Sequence, residues 1–221
     1  LISLNIERDR HLERVIPFVE RERPDVLCLQ EVMEPDFLDF KRRFGYQGLY
    51  VPMSLSRSFR DDREFELMPR GICLLSRLLI RRPQARYYYG DPRDPVPEFK
   101  RFPDGRIDQR TIHKILLWMT VMQGDDAFTV GTTHFTWSPN GEADDEQRRD
   151  TDALLAILAD IPEIVWCGDL NAPRGREIFA RFAERYRDHI PAHYTTSLDG
   201  AFHRNGPLPH MVDVLFSTPH Y

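Results

Sequence analysis

The stretch Glu163-Ile164-Val165-Trp166-Cys167-Gly168-Asp169-Leu170-Asn171 decides how the rest of this chain is read. An apolar run fit for a buried strand over 163–167 ends in Gly168, a carboxylate, and an amide two residues later. Removing a carboxylate from water is costly unless a cation or hydrogen bonds compensate. Asp169 at the buried end of a strand therefore needs a reason. Continued strand geometry would turn Asp169 and Asn171 to the same side. One could then bind a metal or a proton while the other holds an oxyanion.

The same construction recurs in both directions from this point. Leu1-Ile2-Ser3-Leu4 runs into Asn5 and Glu7, and Asp25-Val26-Leu27-Cys28-Leu29 runs into Gln30-Glu31. Phe128-Thr129-Val130-Gly131-Thr132-Thr133 leads to His134, and Met211-Val212 carries Asp213 into Val214-Leu215-Phe216. Each strand-like run delivers a carboxylate, an amide or an imidazole at or near one end.

In order and company, Asn5-Ile6-Glu7, Gln30-Glu31, Thr133-His134-Phe135, Gly168-Asp169-Leu170-Asn171 and Val212-Asp213-Val214 resemble the motifs of the endonuclease/exonuclease/phosphatase superfamily. The resemblance covers nearly the whole chain. It implies a DNase I-like four-layer α/β sandwich, with the site at one edge of the sheet pair where the strand ends meet. It also implies a phosphoesterase using Mg²⁺ or Mn²⁺. In that scheme Glu31 is the metal ligand, the hard oxygen donor such cations prefer, and Glu7 is a second or water-mediated one. Asp169 orients and deprotonates the attacking water. Asn171 and Asn5 hold phosphate oxygens, and His134 donates to the oxygen that gains charge.

Asp213 in the family pairs with the His of a Ser-Asp-His motif. No such motif is present here, and His220 follows Asp213 by only seven residues with no Ser-Asp before it. The expectation is a single domain over 1–221 that stops short of its last strand and that motif. The opening residues, without Met and already strand-like, suggest a start slightly upstream. Histidine rather than tyrosine at 134 is similar to the branch of pancreatic-type DNases, sphingomyelinases, inositol-phosphate phosphatases and DNA-tyrosyl phosphodiesterases. A phosphodiester is the expected substrate. The alternatives are a phosphomonoesterase, a phospholipid or inositol-phosphate hydrolase, or a noncatalytic binding domain on the same scaffold.

Further candidates surround these motifs. Arg174 just after the Gly-Asp-x-Asn string, Arg70 and Arg204 could each reach a phosphate or remain surface cations, the commoner fate of arginine. His203 and His210 precede Asp213 and are expected to line the cleft. Tyr87-Tyr88-Tyr89 could stack on a base, a lipid or a sugar, or simply pack.

The bulk composition is compatible with this reading. At 221 residues and 41% hydrophobic the chain can bury one substantial core. No apolar run is long enough to span a membrane, and no stable protein partner is indicated. The net charge of −5 argues against a protein that coats nucleic acid through Lys and Arg, though a bound cation can supply positive charge locally. Cys28, Cys73 and Cys167 all sit in apolar runs. They read as buried free thiols, which suits a reducing, cytoplasmic setting.

Periodicity predicts helices over 8–24, with Pro17 inside, and over 36–44, with Gly45 as its stop. Others are expected over 144–161 and near 175–187. Strands are expected over 26–30, 71–76, 111–122, 128–133 and 211–216, the middle pair joined at Gln123-Gly124-Asp125-Asp126. Residues 46–60 are mixed, and 87–110 read as an irregular excursion or long hairpin. A hairpin beside strand–helix alternation predicts two mixed sheets packed face to face with helices outside.

Overall fold

The computed structural model describes residues 1–60, 66–203 and 206–221. Among the described residues, ten strands and four α-helices follow one another. They are β1 (Ile2–Asn5), α1 (Leu12–Glu22), β2 (Val26–Met33), α2 (Glu34–Phe44), β3 (Gln47–Arg57), β4 (Leu67–Ser76) and β5 (Leu79–Tyr89). Then come β6 (Lys114–Gln123), β7 (Asp126–His134), α3 (Asp145–Ala159), β8 (Val165–Asp169), α4 (Glu177–Ala183), β9 (Arg187–Asp188) and β10 (Asp213–Ser217).

The strands form a four-stranded sheet, β1-β2-β4-β3, and a six-stranded sheet, β5-β6-β7-β8-β10-β9. Both are mixed: β1/β2 and β7/β8 run parallel, the remaining pairs antiparallel. Alternation on the central strands builds three apolar layers between four layers of structure. On β2, Cys28 faces the second sheet with Ile72, Leu117 and Cys167, while Leu27 and Leu29 turn to α1 and α2. On β6, Ile115 and Met119 enter the inter-sheet layer, while Leu116 and Trp118 pack toward Leu154, Leu158 and Phe182 of α3 and α4. These strands are buried on both faces, so they read as unbroken apolar runs.

Several boundaries differ from the sequence expectation, each for a local reason. Helix α1 begins at Leu12 and not at residue 8, because Glu7 and Arg8 adopt left-handed backbone, φ 48° and 65°. Pro17 lies inside it, where its ring denies the helix one backbone donor. Asp144 caps α3 by accepting from the Gln147 backbone N at 2.8 Å. Residues 47–57 form a full strand. The expected 87–110 excursion begins three residues late, because the three tyrosines complete β5. That strand lies at a sheet edge and is largely exposed, so it carries no apolar alternation to betray it. Strand β8 ends on Asp169, and β10 starts on Asp213. Asn171 is therefore beyond the strand, in left-handed backbone at φ 50°, and the period-two argument for its direction does not hold.

Gly168 is what brings β8 so close to β7. Its φ is 142°, and a Cβ there would lie 1.9 Å from the Thr133 carbonyl oxygen. No other residue type tolerates both conditions.

Candidate active site

The two parallel strand pairs end at the same edge of the sandwich. Asn5 is the register partner of Gln30 in the first sheet, and His134 that of Asp169 in the second. The β1, β2, β7 and β8 ends thus deliver their polar residues into one cleft of about 1090 Å³. Asp213 enters from β10, opposite Asp169.

Asp169 is the best-held group. It is 7% exposed. Oδ1 accepts the Asn171 backbone N–H at 2.8 Å, and Oδ2 accepts the Asn5 side-chain amide at 3.0 Å. The Asn171 amide donates in turn to the Phe135 carbonyl at 3.0 Å, which fixes the turn. Asn5 also accepts the Glu7 backbone N–H at 3.0 Å, so its amide has one orientation only.

Glu31 leaves β2 where the β2/β4 register shifts between Leu29 and Val32, in left-handed backbone at φ 58°. This bulge re-aims its side chain into the cleft. Its carboxylate accepts from the Arg70 guanidinium at 3.2 Å and stands 4.0 Å from the His134 Nε2. Burial pushes its pKa upward, but Arg70, His134, Arg8 and the Asn5 amide outweigh that and hold the carboxyl below its ordinary value. The His134 Nε2 is 3.7 Å from the Asp169 carboxylate. Burial lowers the His134 pKa, against the pull of Asp169 and Glu31. The imidazole sits between two carboxylates, too far from either for a hydrogen bond.

Asp213 is pushed up to about 7, by burial first and then by the charge of Asp169. The Ser197 hydroxyl oxygen accepts its backbone N–H at 3.1 Å.

Asn5, Glu7, Glu31, Arg70, His134, Asp169, Asn171, His203, His210 and Asp213 all line this cleft. Two expectations need correction. Arg70 is not a surface cation. It is 7% exposed, held by the Ser54 hydroxyl at 2.9 Å and 3.2 Å and by Glu31. Arg174 does not face the cleft. Its guanidinium donates to the carbonyls of Ile190, Pro191 and Tyr194 and pairs with Asp188 at 2.8 Å, tying down the 188–194 loop. Glu7 reaches the cleft, but its carboxylate meets Arg10 at 2.8 Å and His11 at 3.4 Å. Arg204 lies outside the described residues. His220 follows the far end of β10, beyond Ser217, while Asp213 opens the near end, so the two do not meet. Of the three tyrosines only Tyr88 is buried, bonding Thr133 at 2.9 Å; half-buried Tyr87 meets His113 edge-on, and Arg149 lies over half-buried Tyr89.

Sequence reasoning missed Lys114, Gln109 and Arg8, all on the cleft wall. Lys114 is 3% exposed, and burial lowers it to about 7 although Asp150 pulls it upward. A lone lysine opening an apolar strand run was the available signal. Arg8 lies over the Phe59 ring at 3.7 Å, and only its left-handed backbone separates it from a surface arginine.

Among the described residues no three His, Cys, Asp or Glu side chains assemble into a group able to cage a metal ion. The donor set nevertheless fits one kind of cation. Mg²⁺ keeps several waters and takes one or two carboxylates plus substrate oxygen. Glu31, charged and open to the cleft, supplies that pattern.

A family model described as the Endonuclease/Exonuclease/phosphatase family matches residues 2–220. No curated protein matches the chain significantly. Among solved structures, the human nocturnin catalytic domain with bound sulfate is similar at 21% identity and TM-score 0.60, over 93% of this chain and 73% of that one. A Bacteroides thetaiotaomicron endonuclease/exonuclease/phosphatase family protein is similar at 14% identity and TM-score 0.68, covering 98% and 82%. D. rerio TDP2 complexed with a single strand DNA product is similar at 16% identity and TM-score 0.62, covering 98% and 82%. These structural likenesses establish the fold: two mixed sheets face to face, with helices outside.

Proposed function

The chain belongs to the endonuclease/exonuclease/phosphatase family, and from that premise we propose a divalent-metal-dependent phosphoesterase that hydrolyses a phosphodiester by in-line attack of water. The observation that carries this reading is the Asp169 carboxylate, held on both oxygens by Asn171 and Asn5 and 3.7 Å from His134. Two fixed donors leave it one direction in which to take a proton from a water molecule, which is general-base geometry. His134 can donate from Nε2 to a non-bridging phosphoryl oxygen placed between Asp169 and Glu31. The second Asn171 amide hydrogen remains for another such oxygen. Asp213 faces Asp169 with a carboxyl held partly protonated near neutrality. Two adjacent carboxyl groups resist losing both protons, and the better-bonded Asp169 is the member suited to act as base.

Glu31 is the residue that would hold Mg²⁺ or Mn²⁺, with Glu7 contributing through water. When bound, the cation offsets charge on the phosphoryl oxygens. Arg70 keeps Glu31 ionised and aimed before any cation arrives. A diester is favoured over a monoester in keeping with the DNA product held by TDP2. Three buried free thiols suit a reducing cytoplasmic setting. No helix among the described residues is long and apolar enough to cross a membrane.

The test is a substrate panel with Mg²⁺, Mn²⁺ or chelator, comprising plasmid and single-stranded DNA, sphingomyelin, inositol phosphates and a chromogenic diester. Hydrolysis that needs the cation supports the reading. Cation-independent hydrolysis, or none on any phosphate ester, overturns it.

A further inference from the structure

Helix α3 departs from the usual pattern of a helix packed on a sheet. The stripe facing the core should be apolar, and the second half obeys, with Leu154, Leu155 and Leu158 buried. The first half buries Gln147, Asp150 and Thr151 instead, at 0%, 1% and 0% exposed. Gln147 is not among the residues lining the cleft, so substrate contact does not account for it.

What Gln147 meets is backbone. Its Nε2 donates to the Thr136 carbonyl at 2.7 Å and to the Asn171 carbonyl at 3.3 Å. Thr136 follows His134 where the chain leaves β7, and Asn171 follows Asp169 where it leaves β8. One amide thus holds both loops that follow the imidazole and the carboxylate. Its orientation is fixed, because the flipped amide would set its oxygen against two carbonyl oxygens. The Oε1 is left buried without a hydrogen-bond partner. An apolar side chain of the same volume would pack α3 without that unmet acceptor. The helix start is itself anchored. Asp144 accepts the Gln147 backbone N–H at 2.8 Å, and Asp150 accepts the Thr136 hydroxyl while Arg149 holds its other oxygen.

The Asn171 carbonyl matters because of what the rest of that residue does. Asn171 is in left-handed backbone at φ 50°, which a residue with a side chain keeps only where its surroundings hold it there. Its N–H reaches Asp169 Oδ1 at 2.8 Å, and its side-chain amide reaches the Phe135 carbonyl at 3.0 Å. Gln147 holds the carbonyl. Without that bond the turn can relax toward the commoner right-handed backbone and carry the N–H away from Asp169.

We propose that Gln147 is a positioning residue: from α3 it braces the exits of β7 and β8 and so sets the direction in which Asp169 faces the attacking water. This rests on the phosphoesterase reading and adds to it a residue outside the cleft.

Gln147→Met keeps the volume and removes both donors. Gln147→Asn, one methylene short of the loops, serves if that variant fails to fold. Leu158→Ala weakens the far end of the same helix and leaves the loops alone. Each is measured in Mg²⁺ by steady-state hydrolysis of a chromogenic diester and by backbone amide exchange at Asn171. The Gln147 variants should lose about 10–10²-fold in kcat, the scale of a small misplacement at the reacting centre. KM should stay within about twofold, because Glu31 and Arg70 stand on the other sheet. The Asn171 amide should exchange about tenfold faster, the scale of one lost hydrogen bond. Leu158→Ala, at a temperature where it stays folded, should change neither readout by more than about twofold. Equal kcat losses in Gln147→Met and Leu158→Ala would make Gln147 structural and overturn the proposal. So would a folded Gln147 variant with wild-type kcat, or with wild-type exchange at Asn171. A wild type that hydrolyses no phosphate ester overturns the phosphoesterase reading, and the exchange readout then decides the brace by itself.

Discussion

The amide of Asn5 lies 3.0 Å from the carboxylate of Asp169, although 164 positions separate them and they sit on different sheets. This hydrogen bond joins the two halves of the sandwich at the cleft. Replacing Asn5 with Ala should lower kcat by about 10²-fold, the scale of losing one positioned polar contact. Stability should fall by only ~1 kcal/mol, since the bond is part-buried. Steady-state kinetics beside urea melts separates the two effects. An equal collapse of both would make Asn5 a structural residue.

Asp169→Asn preserves the shape and removes the base. Turnover should drop by roughly 10²–10⁴-fold, while inorganic phosphate binding holds or tightens because a negative charge has gone. Single-turnover rates and a phosphate titration measure these separately. Parallel loss of binding and rate would place Asp169 on the cation instead.

Glu31→Gln should abolish most of the divalent-cation dependence. It should also destabilise the protein, because the buried Arg70 loses its only carboxylate ion-pair partner among the described residues. Stranding one member of a buried pair costs on the order of 3 kcal/mol. Double replacement with Arg70→Met should recover part of that stability without restoring metal dependence. A Mg²⁺ titration by calorimetry and thermal melts of both variants check this. Wild-type affinity in Glu31→Gln would remove Glu31 from the metal.

Asp213 makes stability depend on pH in an unusual direction for a carboxyl. Its pKa is pushed up from 3.8 to about 7 in the folded protein. The folded state therefore holds the proton more tightly than the unfolded chain. The contribution is fully present below about pH 4 and is lost as pH rises through about 7. Asp213→Asn should leave stability at pH 4 nearly unchanged and raise it at pH 8, on the order of 2 kcal/mol. Denaturant melts across that range measure the slope. An Asp213→Asn profile parallel to wild type would show that Asp213 ionises normally.

The sequence by itself determined the apolar runs that become the central strands, the residues at their ends, and the two-sheet plan. A strand buried on both faces must be apolar at every position, as Leu27-Cys28-Leu29 and Ile115-Leu116-Leu117 are. A polar residue at such an end stands out locally, and Asn5, Glu31, His134 and Asp169 did. Strand β5 stayed hidden because an exposed edge strand needs no such pattern. The tertiary structure alone decided which ends meet and which charges are engaged. Arg70, Lys114 and Arg174 are three basic residues with little in their immediate sequence to separate them. Register across the β2/β4 bulge sends Arg70 to Glu31, the β6 start places Lys114 in the cleft wall, and a returning loop claims Arg174. Periodicity is a property of neighbours in the chain, whereas the environment of a charge is set by strands far apart in sequence.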